Sequence, residues 1–104
     1  MRTVEYRPRA AFDLESIVVY AGEAQGAPRA AKRLYGEIIS AVDLLSEMPT
    51  LGRRIKDDAL SGEAYRWYLS GQYRIFYTYD EDTLLVWRII HVRQDIDDYA
   101  MVEW

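Results

Sequence analysis

The spacing of apolar residues changes character near the middle of this chain, and that change constrains the fold more than any other feature. Leu14, Ile17, Val18, Ala21 and Ala24 recur at helical spacing between Pro8 and the breaker Gln25-Gly26. A second stripe, Ala31, Leu34, Tyr35, Ile38, Val42 and Leu45, runs from Pro28 to Pro49. Proline suits the first turn of a helix, where its missing N–H has no partner to lose, and it cannot continue one. The spacing therefore predicts two helices joined by a short loop, which favours an antiparallel hairpin. After Gly62 the period switches. Tyr65–Leu69, Tyr73–Tyr79 and Thr83–Val92 are rich in aromatic and β-branched residues and are separated by Ser70-Gly71-Gln72 and Asp80-Glu81-Asp82, as in a meander of three antiparallel strands.

Before the first helix, Thr3–Tyr6 reads as a short strand, because Pro8 confines Arg7 to extended geometry. The segment 51–62 carries Arg53, Arg54, Lys56, Asp57 and Asp58 between glycines and reads as a charged, exposed loop. The expected fold class is α+β: an N-terminal strand, an antiparallel helical hairpin, and a three-stranded antiparallel meander, all in one sheet with the hairpin on one face. With 104 residues the chain suits one domain, residues 1–104, whose acidic end, 96–104, could cap a short helix or stay flexible.

Composition removes several kinds of chemistry. There is no cysteine, so disulfides and thiol catalysis are excluded, and a single histidine without cysteine argues against a structural zinc site. No metal or cofactor is expected. No apolar run approaches the ~18 residues of a membrane span, and MRTVEYRPR lacks a signal peptide's apolar stretch, so a cytoplasmic protein is expected. Charge is segregated. Residues 1–56 hold nine Lys/Arg against seven Asp/Glu, whereas 57–104 hold four Arg against ten Asp/Glu. The net charge of −4 argues against direct, sequence-specific nucleic-acid binding, which draws its affinity from phosphate neutralisation.

Arg66, Arg74, Arg88 and Arg93 stand within or beside otherwise apolar strands, where a cation must emerge on an open face or find a partner. Gathered on one face they would form an anion site for RNA phosphate or for carboxylates of a protein; dispersed, they would pair with the chain's own acids. His91 lies at the end of a strand and could act as a general acid or base, although without a neighbouring catalytic motif such a residue is more often hydrogen-bonded within the sheet. Tyr99 could carry a proton only with its pKa lowered from about 10, and packing of the tail is its plainer role. No glycine-rich phosphate loop, serine elbow or metal-ligand pair is present.

Three ordered blocks resemble the ParE/RelE superfamily of bacterial toxins. YRPRAAFDLESIVVYAGE is similar to the strand, proline and first helix of these proteins. AAKRLYGEIISAVDLLSEMPTLGRR is similar to the second helix and its ending in Met48, Pro49, Leu51, Gly52 and Arg53. YRWYLSGQYRIFYTYDEDTLLVWRIIHVRQD is similar to the last three strands, with Arg66, Tyr73, Arg74, Tyr77, His91, Arg93 and Asp95. The resemblance implies a toxin of a type II toxin–antitoxin pair, associated with its antitoxin in a hetero-oligomer and arresting growth when the antitoxin is lost. Such pairs stabilise plasmids or chromosomes.

The resemblance leaves two targets. Ribonuclease-type relatives cleave mRNA on the ribosome; for them it implies roles for Arg66, Arg74, Arg93 and Tyr99, but a lysine expected two positions after the first basic residue is Tyr68 here. ParE-type relatives inhibit DNA gyrase, and the patterns PxLGRR (Pro49–Arg54) and HxRxD (His91–Asp95) favour that branch, as does the acidic net charge. On this reading a ParD-like antitoxin contacts Arg29, Arg33, Arg53 and Arg74, while His91, Arg93, Tyr99 and Trp104 face the target.

Overall fold

The computed structural model describes residues 1–55 and 65–94. Strand β1 (Thr3–Tyr6) leads through Arg7, which is extended at φ −63°, ψ 154°, into helix α1 (Pro8–Val19), opened by proline as the sequence predicts. The last turn, Tyr20–Ala24, widens into a π-helical turn closed by the Gln25 N–H on the Tyr20 carbonyl at 3.1 Å. Gly26 takes φ 61° in the connection to α2 (Pro28–Glu47). Pro49 stops α2, and a 3₁₀ turn (Pro49–Leu51) leads into β2 (Arg53–Arg54). Strands β3 (Arg66–Ser70), β4 (Tyr73–Tyr79) and β5 (Thr83–His91) complete the described chain.

The sheet has five strands in the order β1-β5-β4-β3-β2. The expected meander is present: β3, β4 and β5 pair antiparallel in turn. One detail differs from the sequence reading, and a second goes beyond it. The segment expected to be wholly loop contributes β2, which pairs antiparallel with β3 through Arg53↔Trp67 and Arg54↔Arg66. Two residues are too few to show a period, so their pairing was not visible in the sequence. The sheet is also mixed, because β1 joins the outer side of β5 in parallel, with Thr3 opposite Thr83 and Tyr6 opposite Val86.

One face of the sheet packs on the helices. Ala10 and Leu14 of α1 and Ile38, Val42 and Leu45 of α2 bury against Ile75, Tyr77, Leu84, Val86 and Ile89. At about 25 cal/mol per Å² of apolar surface, each of the larger side chains contributes roughly 1.5–3 kcal/mol. A bulge at Trp87 makes this face continuous: Phe76 pairs with Arg88 but Tyr77 with Val86, so one extra residue on β5 lets Leu84, Val86 and Ile89 all reach the helices. Gly71, at φ 59°, occupies the first central position of the β3–β4 hairpin and fixes Ser70 opposite Tyr73. Asp80 closes the β4–β5 turn by accepting the N–H groups of Asp82 (2.9 Å) and Thr83 (2.8 Å), which hold its carboxyl below the usual range.

Candidate functional site

β1 ends opposite Val86, so among the described residues the outer edge of β5 from Trp87 onward has no strand beside it, and α1 lies along that edge. The Asp13 carboxylate accepts the Ile89 N–H at 3.0 Å in place of a neighbouring strand. It also takes Arg88 in a two-pronged ion pair, at 2.7 and 3.1 Å, with both side chains largely buried. Arg88 is thereby removed from the arginines considered for an anion site, because it joins the first helix to the last strand.

At the other side of the sheet, the Pro49–Arg54 pattern is built around Tyr77. The Tyr77 hydroxyl donates to the Pro49 carbonyl at 2.5 Å and accepts the Gly52 N–H at 3.0 Å, all within a buried corner. The Gly52 carbonyl accepts Arg66 Nη1 at 2.8 Å. Burial pushes the Tyr77 phenol upward, partly offset by the Gly52 bond and by Arg66. Glycine is required at position 52, since a Cβ there would strike the Tyr77 hydroxyl and come within 2.8 Å of the Trp67 carbonyl. Arg53 then emerges with its guanidinium 5.6 Å from the Trp67 ring centre, and Arg74 lies 5.2 Å from the same ring.

The proposed catalytic arginines are therefore divided between the two faces. Cross-strand partners point to one side, so Arg66, opposite the core residue Tyr77, lies on the helix side. Arg74, two positions from Phe76 and opposite Leu69, lies on the other. Arg93 is exposed in the turn beyond β5. Tyr99, Trp104 and Asp95 lie outside the described residues.

His91 is bonded through both ring nitrogens. Its Nδ1 accepts the Arg93 N–H at 3.0 Å, so in the neutral ring the proton sits on Nε2, 2.9 Å from Gln72 Oε1. The Tyr73 ring meets His91 edge-on at 5.2 Å. The sequence pointed to His91 by its type; its partner Gln72 sits in a hairpin and carried no comparable signal.

The helical hairpin presents an open groove of about 420 Å³ lined by Tyr6, Leu14, Val18, Val19, Tyr35 and Ile39, nearly all of it apolar. Tyr35, expected in the core stripe, is 47 % exposed and forms one wall. Arg29 and Arg33 stand exposed on the opening turns of α2 beside Gly26 and Pro28. The sequence contained this groove as the outer margin of two helical stripes, but the margin could not be told from core without the crossing of the helices.

Residues 4–96 match the family described as "ParE toxin of type II toxin-antitoxin system, parDE". The chain belongs to the ParE toxin family. Two solved structures share its fold. The chromosomal ParDE toxin–antitoxin system from P. aeruginosa superposes with a TM-score of 0.70 at 17 % identity, over 88 % of this chain and 96 % of that one. The RelBE2 toxin–antitoxin complex from Mycobacterium tuberculosis does so with a TM-score of 0.60 at 24 % identity, over 86 % and 96 %. No curated protein matches the sequence. ParE membership bears out the superfamily and branch that the sequence blocks pointed to. Among the described residues no helix is long and apolar enough to cross a membrane, and no cluster of His, Cys, Asp or Glu could hold a metal ion.

Proposed function

We infer that this ParE-family toxin is a protein-binding inhibitor of DNA gyrase that acts in the cytoplasm, arrests growth, and is held inactive by a ParD-like antitoxin in a hetero-oligomer. The observation that carries the choice of target is the division of the arginines. Cleaving a phosphodiester without a metal requires cationic groups aimed at one phosphate, preorganised for the charge of its transition state. Arg66 is bound to the Gly52 carbonyl on one side of the sheet, and Arg74 is stacked on Trp67 on the other. The next basic position expected of a nuclease is Tyr68, which adds no charge. The reading as a ribosome-dependent endoribonuclease keeps the support of its fold likeness to RelBE2 and is the alternative to be tested.

The antitoxin fits the hairpin groove. An amphipathic helix laid along α1 and α2 would bury apolar residues on Leu14, Val18, Val19 and Ile39, with acidic residues reaching Arg29 and Arg33. His91, Arg93, Tyr99 and Trp104 are proposed for the target face. Purified toxin should inhibit gyrase supercoiling and leave mRNA intact in a translation extract. Codon-position cleavage that vanishes in Arg74→Ala would overturn the proposal in favour of the nuclease. Deleting residues 96–104 should abolish inhibition while antitoxin binding survives, and unchanged inhibition would remove Tyr99 and Trp104 from the target face.

A further inference from the structure

The back of α1, turned away from the core residues Ala10 and Leu14, carries aromatic rings where a surface helix ordinarily carries polar side chains. Phe12 is 65 % exposed, Tyr20 62 % and Val19 45 %. Arg9, Phe12, Ser16, Tyr20 and Glu23 follow one another at spacings of three and four residues, so they make one stripe about four turns long, and all five are exposed. Their order is self-complementary. Phe12 and Tyr20 stand four residues to either side of Ser16, and the opposite charges Arg9 and Glu23 stand seven to either side. An antiparallel copy of the helix, related by a two-fold axis at Ser16, therefore sets ring against ring and Arg9 against Glu23 twice over. The relief of the helix fits this pairing as well. Ser16, Val19, Tyr20 and Glu23 enclose an open hollow of about 520 Å³, where the wide π turn keeps Glu23 beside Val19 and Tyr20. Residues at positions i, i+3, i+4 and i+7 form the hole that a side chain of a facing helix enters in knobs-into-holes packing. With the axis at Ser16, the side chain that arrives at this hole is Phe12 of the second copy. Ser16 itself is small and lies at the crossing, which lets the two helices approach.

We propose that the back of α1 is a self-association surface, on which two copies of this chain pair antiparallel about Ser16, each Phe12 entering the other's hollow and each Arg9 meeting the other's Glu23. An arginine has five N–H donors, so Arg9 can take a second copy's carboxylate in addition to contacts within its own chain. The surface is independent of the target, and Val19 alone is shared between the hollow and the hairpin groove. One helix face per copy buries far less than the ~800 Å² a side of a standard stable interface, and a net charge of −4 on each copy opposes approach. The dimer is therefore weak, with a Kd on the order of 10–100 µM.

Sedimentation velocity of the purified full-length chain, across about a decade of concentration on either side of that range, should show the average mass rising towards that of two chains. Phe12→Ser, which removes a ring that the fold leaves mostly in solvent, should weaken association about tenfold. Arg9→Glu and Glu23→Arg should each weaken it several-fold by setting like charges face to face, and the double variant, with the signs exchanged, should recover it. Because the chain has no cysteine, Ser16→Cys supplies a single thiol on the axis, and mild oxidation should link it to its copy. Lys32→Cys, exposed on α2, should not link. A chain that stays monomeric throughout overturns the proposal, as does a dimer that survives Phe12→Ser or links through Lys32→Cys as readily as through Ser16→Cys. If the chain is monomeric and Phe12→Ser instead weakens gyrase inhibition or capture of the antitoxin, the stripe serves that partner and self-association is overturned.

Discussion

Removing one hydroxyl, Tyr77→Phe, should destabilise this fold by about 2–4 kcal/mol. Tyr77 is completely buried, and its oxygen is the shared partner of two backbone groups in a buried corner: the Pro49 carbonyl at 2.5 Å and the Gly52 N–H at 3.0 Å. Phenylalanine fills the same ring volume, so no large cavity opens and the transfer of apolar surface is nearly unchanged. What remains is the cost of leaving a buried donor and a buried acceptor without partners, roughly 1–3 kcal/mol each, offset in part because a hydroxyl no longer has to be dehydrated. Against a total stability of about 5–15 kcal/mol for a domain of this size the loss is large. In urea unfolding it should move the midpoint at constant slope, and thermally it should lower Tm by about 8–20 °C. The Gly52 amide should also lose protection from hydrogen exchange. A loss below about 0.5 kcal/mol, with Gly52 protection intact, would show that water takes over both groups and that the corner is not held by Tyr77.

Three further perturbations test other joints of the fold. Gly52→Ala should cost more than about 2 kcal/mol in urea unfolding, because its Cβ meets the Tyr77 hydroxyl and the Trp67 carbonyl at 2.8 Å; a neutral outcome would mean that the corner yields. Asp13→Ala should destabilise by about 3–5 kcal/mol, since it strips Arg88 of its carboxylate inside the protein and the Ile89 N–H of its acceptor; a loss under about 1 kcal/mol would contradict the pairing. Tyr6 is pushed up to about 12, first by burial and then by the charges of Asp43 and Tyr35. A phenol held above its unfolded value near 10 favours the fold fully below about pH 10, and that contribution drains away between about pH 10 and 12. Partial exposure discounts it to roughly 1 kcal/mol. Tyr6→Phe should flatten that part of the alkaline stability curve, and an unchanged slope would refute the assignment.

Much of the architecture was legible because each helix repeats its apolar residues at helical spacing and the long strands are dense in aromatic and β-branched residues. Leu14 with Ile17, and Ile38 with Val42 and Leu45, could face only one way on a helix. β2 was not legible, since Arg53 and Arg54 are cationic and too few to alternate, and they pair with β3 directly after Gly52, which is bonded to Tyr77. The parallel placement of β1 was also hidden: Thr3–Tyr6 would satisfy its alternation against either edge. For the arginines, sequence gave the residues but not their sides. The bulge at Trp87 resets the alternation of β5, and partners 75 residues apart, such as Asp13 and Arg88, leave no mark on local pattern.

The Pro49–Arg54 and His91–Asp95 patterns, which favoured the ParE branch, have different physical content. In the first, Pro49 and Gly52 serve the Tyr77 corner while Leu51, Arg53 and Arg54 are exposed, so folding alone accounts for the proline and the glycine and not for the rest of the pattern. The described part of the second fixes a turn: the His91 ring takes the Arg93 N–H, and the Gln94 side chain takes the His91 N–H at 3.1 Å. A histidine bonded at both nitrogens is poorly placed to exchange protons with a substrate, because either transfer would break a bond that shapes the turn. That favours His91 as the support of a binding surface over His91 as a catalyst. Long-range ¹⁵N–¹H correlations on the neutral ring should accordingly find the proton on Nε2, and the opposite tautomer would return His91 to the list of proton carriers.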